Sequence, residues 1–199
     1  MPIQPMSVQL LKRKFTVEEY HQMAETGIFA SSDRLELIQG EIIEMSPIGS
    51  RHAAWVRRLT QLFSEKLGQR ASVSVQNPIS LGDNQSEPQP DITILAPRSD
   101  FYLNAHPQPQ DILLLVEVAD TSADYDREVK IPLYAAAGIT EVWLLDVKAE
   151  IWQVYRQPTA AGYQEIQQLQ PGASIAPLSF PEISFTVSFP DSGVNSQQD

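Results

Sequence analysis

Residues 112–146 read ILLLVEVADTSADYDREVKIPLYAAAGITEVWLLD, and this stretch decides the fold. It opens with a near-continuous apolar run, residues 112–118, of the kind a strand carries when both of its faces are buried. A helix is predicted over about residues 124–137, closed by Gly138, and residues 141–146 read as a second strand. A strand, a helix and a strand at this spacing form a right-handed crossover unit with the two strands parallel in one sheet. Glu117 sits badly with that pattern, because it puts a carboxylate near the end of the buried strand. An ionised carboxylate taken out of water costs several kcal/mol unless something compensates it. A metal ion is the compensating partner expected here; an arginine or a path to solvent is the alternative.

Working outward, PDITIL (90–95) is a strand entered through a proline, and ASVSVQNPISL (71–81) alternates as a strand does. Further upstream, RHAAWVRRLTQLFSEKLG (51–68) places Trp55, Leu59, Leu62, Phe63 and Leu67 on one helical face, with Gly68 ending the helix. RLELIQGEIIEMSP (34–47) reads as a hairpin turning at Gln39-Gly40. FTVEEYHQMAETGIF (15–29) has the spacing of a short helix, capped by Thr16 with Glu19 as its capping-box partner. Downstream, AEIWQVYR (149–156) is expected to pair with 141–146, and a strand pair is expected around YQEIQQL (163–169) and ISFTVSF (183–189).

The 199 residues, 42% of them hydrophobic, suit one domain over 15–190, preceded by a segment 1–14 and followed by a disordered tail, DSGVNSQQD, at 191–199. Without cysteine there are no disulfides, thiolate metal sites or thiol catalysis. No run approaches the roughly 20 apolar residues of a membrane span, and the N-terminal residues carry no signal-peptide core. The expectation is a cytoplasmic protein that does not engage membranes. A formal charge of −11 argues against coating nucleic acid by bulk electrostatics. Residues 51–70 run the other way, with Arg51, Arg57, Arg58, Lys66 and Arg70 against Glu65, which reads first as a solvated helix face.

Asp91 opens one strand and Glu117, 26 positions on, lies near the end of the next. If those strands are neighbours, both carboxylates converge on one point, and two oxygen ligands completed by water and phosphate are what Mg²⁺ or Mn²⁺ prefers. Lys130, on the following helix, can point its ammonium at the same place. Three histidines, His21, His52 and His106, lack close ligand spacing and argue against zinc. No phosphate-cradling or dinucleotide-binding glycine pattern is present, so no organic cofactor is expected.

Taken together, ELIQGEIIEMSP, a helix opening with His52, PDITIL, the run 113–146 and VYR resemble the Uma family of endonucleases, small bacterial proteins of the PD-(D/E)xK, restriction-endonuclease-like superfamily. The resemblance runs from about Phe15 to Arg156. It implies an α/β fold: a restriction-endonuclease-like core with a mixed central sheet flanked by helices, here with an N-terminal hairpin and extra C-terminal strands. It also implies a phosphodiesterase site using Mg²⁺ or Mn²⁺ and acting on DNA. Pro90-Asp91 matches the motif's PD and Glu117 its second acid. The superfamily's lysine position, two residues after that acid, holds Ala119; the Uma-type pattern places the lysine on the next helix, matched by Lys130 with Tyr134 one turn later. Glu36 matches an accessory acid from an N-terminal element. His52 contacts phosphate, shuttles a proton or simply holds a structural hydrogen bond, and Asp120 is either an extra ligand or a helix cap. Pro132 is expected either to kink the helix that carries Lys130 or to make it start late. Cutting a duplex further implies a homodimer. The reading from a different class is a non-catalytic module that keeps the fold and works through protein or nucleic-acid contacts.

Overall fold

The computed structural model describes residues 12–186, so the expected tail at 191–199 and most of the segment 1–14 lie outside the described residues. The first helix, α1 (Val17–Glu25), begins at a complete capping box formed by Thr16 and Glu19. A hairpin follows, β1 (Leu35–Ile38) and β2 (Glu41–Glu44), turning through Gln39 and Gly40 at φ 49° and 75°. Two left-handed residues in succession give the turn that matches strand twist. Gly40 is required for a second reason, since a Cβ there would meet the Lys14 Cβ at 2.7 Å. The amphipathic helix α2 (Ser50–Leu67) buries Trp55, Val56, Leu59, Phe63 and Leu67 and closes at Gly68.

Six strands form the central sheet in the order β3-β4-β5-β6-β7-β8: β3 (Ser72–Val75), β4 (Ile92–Leu95), β5 (Ile112–Ala119), β6 (Glu141–Asp146), β7 (Ile151–Thr159) and β8 (Gly162–Leu169). Only β5 and β6 pair in parallel, as the crossover unit requires, and the other neighbours are antiparallel. One face of the sheet, with Leu114, Val116, Val118 and Trp143, packs on α2. The opposite face, with Leu115, Ala119 and Leu144, packs on the helical crossover and on Ile38 of the hairpin. The observed class is the expected one: a mixed sheet between helices, with an N-terminal hairpin and added C-terminal strands. Among the described residues no helix is long and apolar enough to cross a membrane.

Three local expectations need correction. β3 stops at Val75, because Gln76 turns to φ 51° and its N–H goes to the Asp91 carbonyl. The segment 163–169 pairs with β7, not with the C-terminal segment, where Phe185–Thr186 (β10) pairs with Ser174–Ile175 (β9). The crossover helix is not continuous: α3 (Ala123–Tyr125) leads into a π-helical turn, Asp126–Lys130, and then α4 (Ile131–Ala136). Pro132, in the first turn of α4, has no N–H for an i−4 carbonyl and its ring crowds that carbonyl; the π-turn, in which the Ile131 N–H reaches Asp126, opens the chain ahead of it.

Candidate active site

The register between β4 and β5 pairs Ile92 with Val116, so Asp91 and Glu117 stand opposite each other one step further along. Directly opposed positions of antiparallel strands share a face. The two acids are tied through the backbone: the Asp91 N–H donates to Glu117 Oε2 at 3.3 Å, and the Val118 N–H donates to Asp91 Oδ2 at 2.9 Å. Asp91 Oδ1 accepts from Gln76 Nε2 at 3.1 Å and lies 3.0 Å from His52 Nε2, in the first turn of α2.

From the other side the π-turn and α4 bring in Lys130 and Tyr134. Lys130 Nζ is 3.2 Å from Glu117 Oε1 and 3.2 Å from Glu36 Oε2, and the Tyr134 hydroxyl donates to Glu117 Oε1 at 2.6 Å. Glu36, fully buried on β1, also accepts from the Tyr125 hydroxyl and from the Gln89 N–H, both at 3.3 Å. Asp126, another buried acid, lies on the same turn and accepts from the Ser122 hydroxyl at 2.7 Å. Asp120 is half-buried, 3.8 Å from Arg51 at the start of α2, and caps no helix. Glu36, His52, Asp91, Glu117, Asp120 and Lys130 all line one cavity of about 400 Å³, together with Asp126, Tyr125 and Arg34.

Burial pushes the Glu117 carboxyl up to about 8, against the pull of Lys130. Burial alone would push Lys130 down, yet Glu117, Glu36 and Asp126 around it hold its pKa above the ordinary lysine value, so it stays an ammonium. Burial likewise raises Asp126. For His52 and Asp91 burial opposes the charged forms, but their mutual contact wins, raising the imidazole and lowering the carboxyl. The His52 Nδ1 atom is buried and finds no partner among the described residues.

A family model described as "Putative restriction endonuclease", the Uma2 family, matches residues 17–188. The chain belongs to the Uma2 family. Its fold is similar to that of a solved structure from Anabaena variabilis ATCC 29413, described as "a putative nuclease belonging to DUF820", with a TM-score of 0.67 at 19% identity, covering 87% of this chain and 95% of that one. At that identity the likeness is one of fold. A comparison with curated proteins gives no match.

In this Uma2 chain the donor set of the cavity suits a hard divalent cation. Its acids offer only oxygen, and Glu36, Asp91, Glu117 and Asp126 crowd around a single buried ammonium, a surplus of acids that protons or a bound cation would relieve. Asp91 and Glu117 could hold it between them, whereas Glu36 is separated from Glu117 by the ammonium of Lys130. Several participants escaped the sequence reading. Asp126 had a signal, lying four residues before Lys130 on a helical segment, which is the spacing of one face. Gln76, Gln89 and Tyr125 had none, because long-range packing alone brings them here. The basic run 51–70 divides: Lys66 donates to the Ser184 carbonyl and Arg70 pairs with Glu182, so these two fasten the C-terminal segment, while Arg51 faces the cavity acid Asp120. A second cluster, unexpected from the spacing of the histidines, joins His21, Glu87 and His106.

Proposed function

We propose that this protein is a metal-dependent endonuclease that hydrolyses DNA phosphodiester bonds. The observation that carries the reading is the opposition of Asp91 and Glu117 on adjacent strands, with the buried ammonium of Lys130 at 3.2 Å from Glu117 although Ala119 stands where the superfamily's lysine is usual. Asp91 and Glu117 would hold Mg²⁺ or Mn²⁺, which when bound polarises the scissile phosphate and lowers the pKa of a water. The rest falls to the chain's own groups. Lys130 offsets charge developing on the phosphoryl oxygens as the water oxygen attacks phosphorus and the bond to the leaving sugar oxygen breaks. Glu36 and Glu117 fix the direction of its ammonium, and Tyr134 fixes the Glu117 carboxyl. His52, whose protonated form Asp91 favours, and Arg34 and Arg51 supply positive charge to the DNA backbone, which the chain's overall charge of −11 does not. Cutting both strands needs two such sites, as in a homodimer of this chain.

Plasmid nicking with Mg²⁺ or Mn²⁺ tests the proposal, wild type beside Asp91→Asn and Glu117→Gln. Loss of cleavage by at least ~100-fold in both variants, with the fold retained, is the expected outcome, as for removal of a group worth several kcal/mol in the transition state. One observation favours the rival class. Lys130 and Tyr134 already occupy Glu117 Oε1, so the acids are partly compensated without any cation, as in a non-catalytic module that binds protein or nucleic acid. Wild type that shifts DNA in a gel yet cleaves none across metals and substrates would favour that module.

A further inference from the structure

We propose that His21, Glu87 and His106 form a zinc-binding site separate from the cavity acids. Their ligand atoms all lie within 4.8 Å of one another, and among the described residues this is the group of three such side chains that meets that spacing. Two imidazoles and a carboxylate are a donor set for Zn²⁺ and its borderline neighbours, not for Mg²⁺, whose preference is oxygen. Ligands around a tetrahedral zinc with bonds of about 2.0–2.1 Å stand roughly 3.3 Å apart, and the two rings that would adjust to that spacing, His21 and His106, are both exposed.

The three ligands come from separate segments that other contacts already fix. Glu87 is 5% exposed and held by an isolated bridge to Leu37, its N–H donating to the Leu37 carbonyl at 2.8 Å. His21 projects from α1 and lies 2.8 Å from Glu87 through Nε2. His106 belongs to the connection between β4 and β5, and the residue after it is anchored, since the Pro107 carbonyl accepts from the Ser80 N–H at 2.9 Å. The two rings meet edge to face with centroids 6.5 Å apart. A buried carboxylate thus faces two exposed imidazoles: the carboxylate anchors the ion, and the exposed side leaves a fourth position for water. Bound zinc would clamp α1 and the β4–β5 connection onto the segment that also carries Asp91.

The test uses full-length protein stripped of metal by chelator and titrated with Zn²⁺ by calorimetry, and separately with Co²⁺ followed by its visible absorption. Wild type should bind one equivalent of Zn²⁺ at micromolar affinity or tighter, with a melting temperature that rises on saturation and a Co²⁺ spectrum of low coordination number. His106→Ala, at an exposed position, should keep the fold and weaken Zn²⁺ binding by at least ~100-fold, and His21→Ala should do the same. Glu117→Gln should leave zinc affinity unchanged, which separates this site from the proposed nuclease centre. Equal affinity in wild type and His106→Ala, loss of binding in Glu117→Gln alone, or no binding below millimolar Zn²⁺ would each overturn the proposal.

Discussion

Two glutamates are buried in neighbouring strands of the same sheet, and their surroundings are opposite. Glu141, at the start of β6, is saturated: it accepts from Arg156 Nε and Nη2 at 2.9 and 2.7 Å, from the Trp143 indole at 3.0 Å and from the Leu178 N–H at 2.7 Å. Its positive partner serves it and one exposed acid, Glu165. Glu117, on β5, shares one ammonium with Glu36, stands beside Asp91 and opens onto a cavity of about 400 Å³. A buried acid is therefore no sign of a site by itself. The sign is a local surplus of acids over cations next to open space, because such a surplus is tolerated only when protons or an added cation relieve it.

The sharpest contrast lies in stability. Glu141→Ala leaves the Arg156 guanidinium, 17% exposed, without the carboxylate oxygen that accepts from both its Nε and Nη2, and removal of one member of such a pair is expected to cost about 3 kcal/mol. Glu117→Gln keeps the shape and relieves repulsion among acids, so in metal-free buffer it should unfold no earlier than wild type. Urea denaturation of the two variants side by side measures the difference, and equal losses would erase the distinction between the two acids.

A second contrast is expected in the pH dependence. The folded Glu117 carboxyl is raised from 4.5 to about 8, so the native state holds a proton that the unfolded chain releases earlier. Its contribution is full below pH 4.5 and is lost as pH rises toward 8; Asp126, also raised, adds to the same trend. Asp91, whose carboxyl is lowered, acts in the other direction, with stability present above its unfolded value. In chelator, melting temperatures of Glu117→Gln should therefore fall less between pH 5 and 8 than those of wild type, and saturating Mg²⁺ should flatten the wild-type curve.

Much of the fold was legible because its signals are local. The apolar run of β5, the glycine that closes the crossover and the turn at Gln39-Gly40 each carry their own pattern, and the spacing of Asp91 and Glu117 followed once the strands were adjacent. What was not legible depends on segments far apart in sequence. Arg156 reaches Glu141 across a hairpin, and His21 meets Glu87 across 66 positions. The π-turn was half legible: Pro132 announced a disturbance, and only packing decided that it would widen the helix and leave Lys130 aimed at the acids.

The smallest effect is expected at Asp120, a half-buried acid of the same cavity that pairs with Arg51 at 3.8 Å. Asp120→Asn should alter stability by less than ~0.5 kcal/mol, as for a partly solvated ion pair. A large loss on urea denaturation would mean that Asp120 belongs with the crowded acids around Lys130.

Whether Glu117 is kept in an apolar strand to hold a cation is tested most directly by counting bound Mn²⁺. Electron paramagnetic resonance of free Mn²⁺, titrated with protein carrying His21→Ala and His106→Ala so that the second cluster is silent, should show one ion bound per chain. Mg²⁺ should displace it, and Asp91→Asn or Glu117→Gln should abolish it. Binding that persists undiminished in Glu117→Gln would contradict the assignment of this carboxylate as a metal ligand.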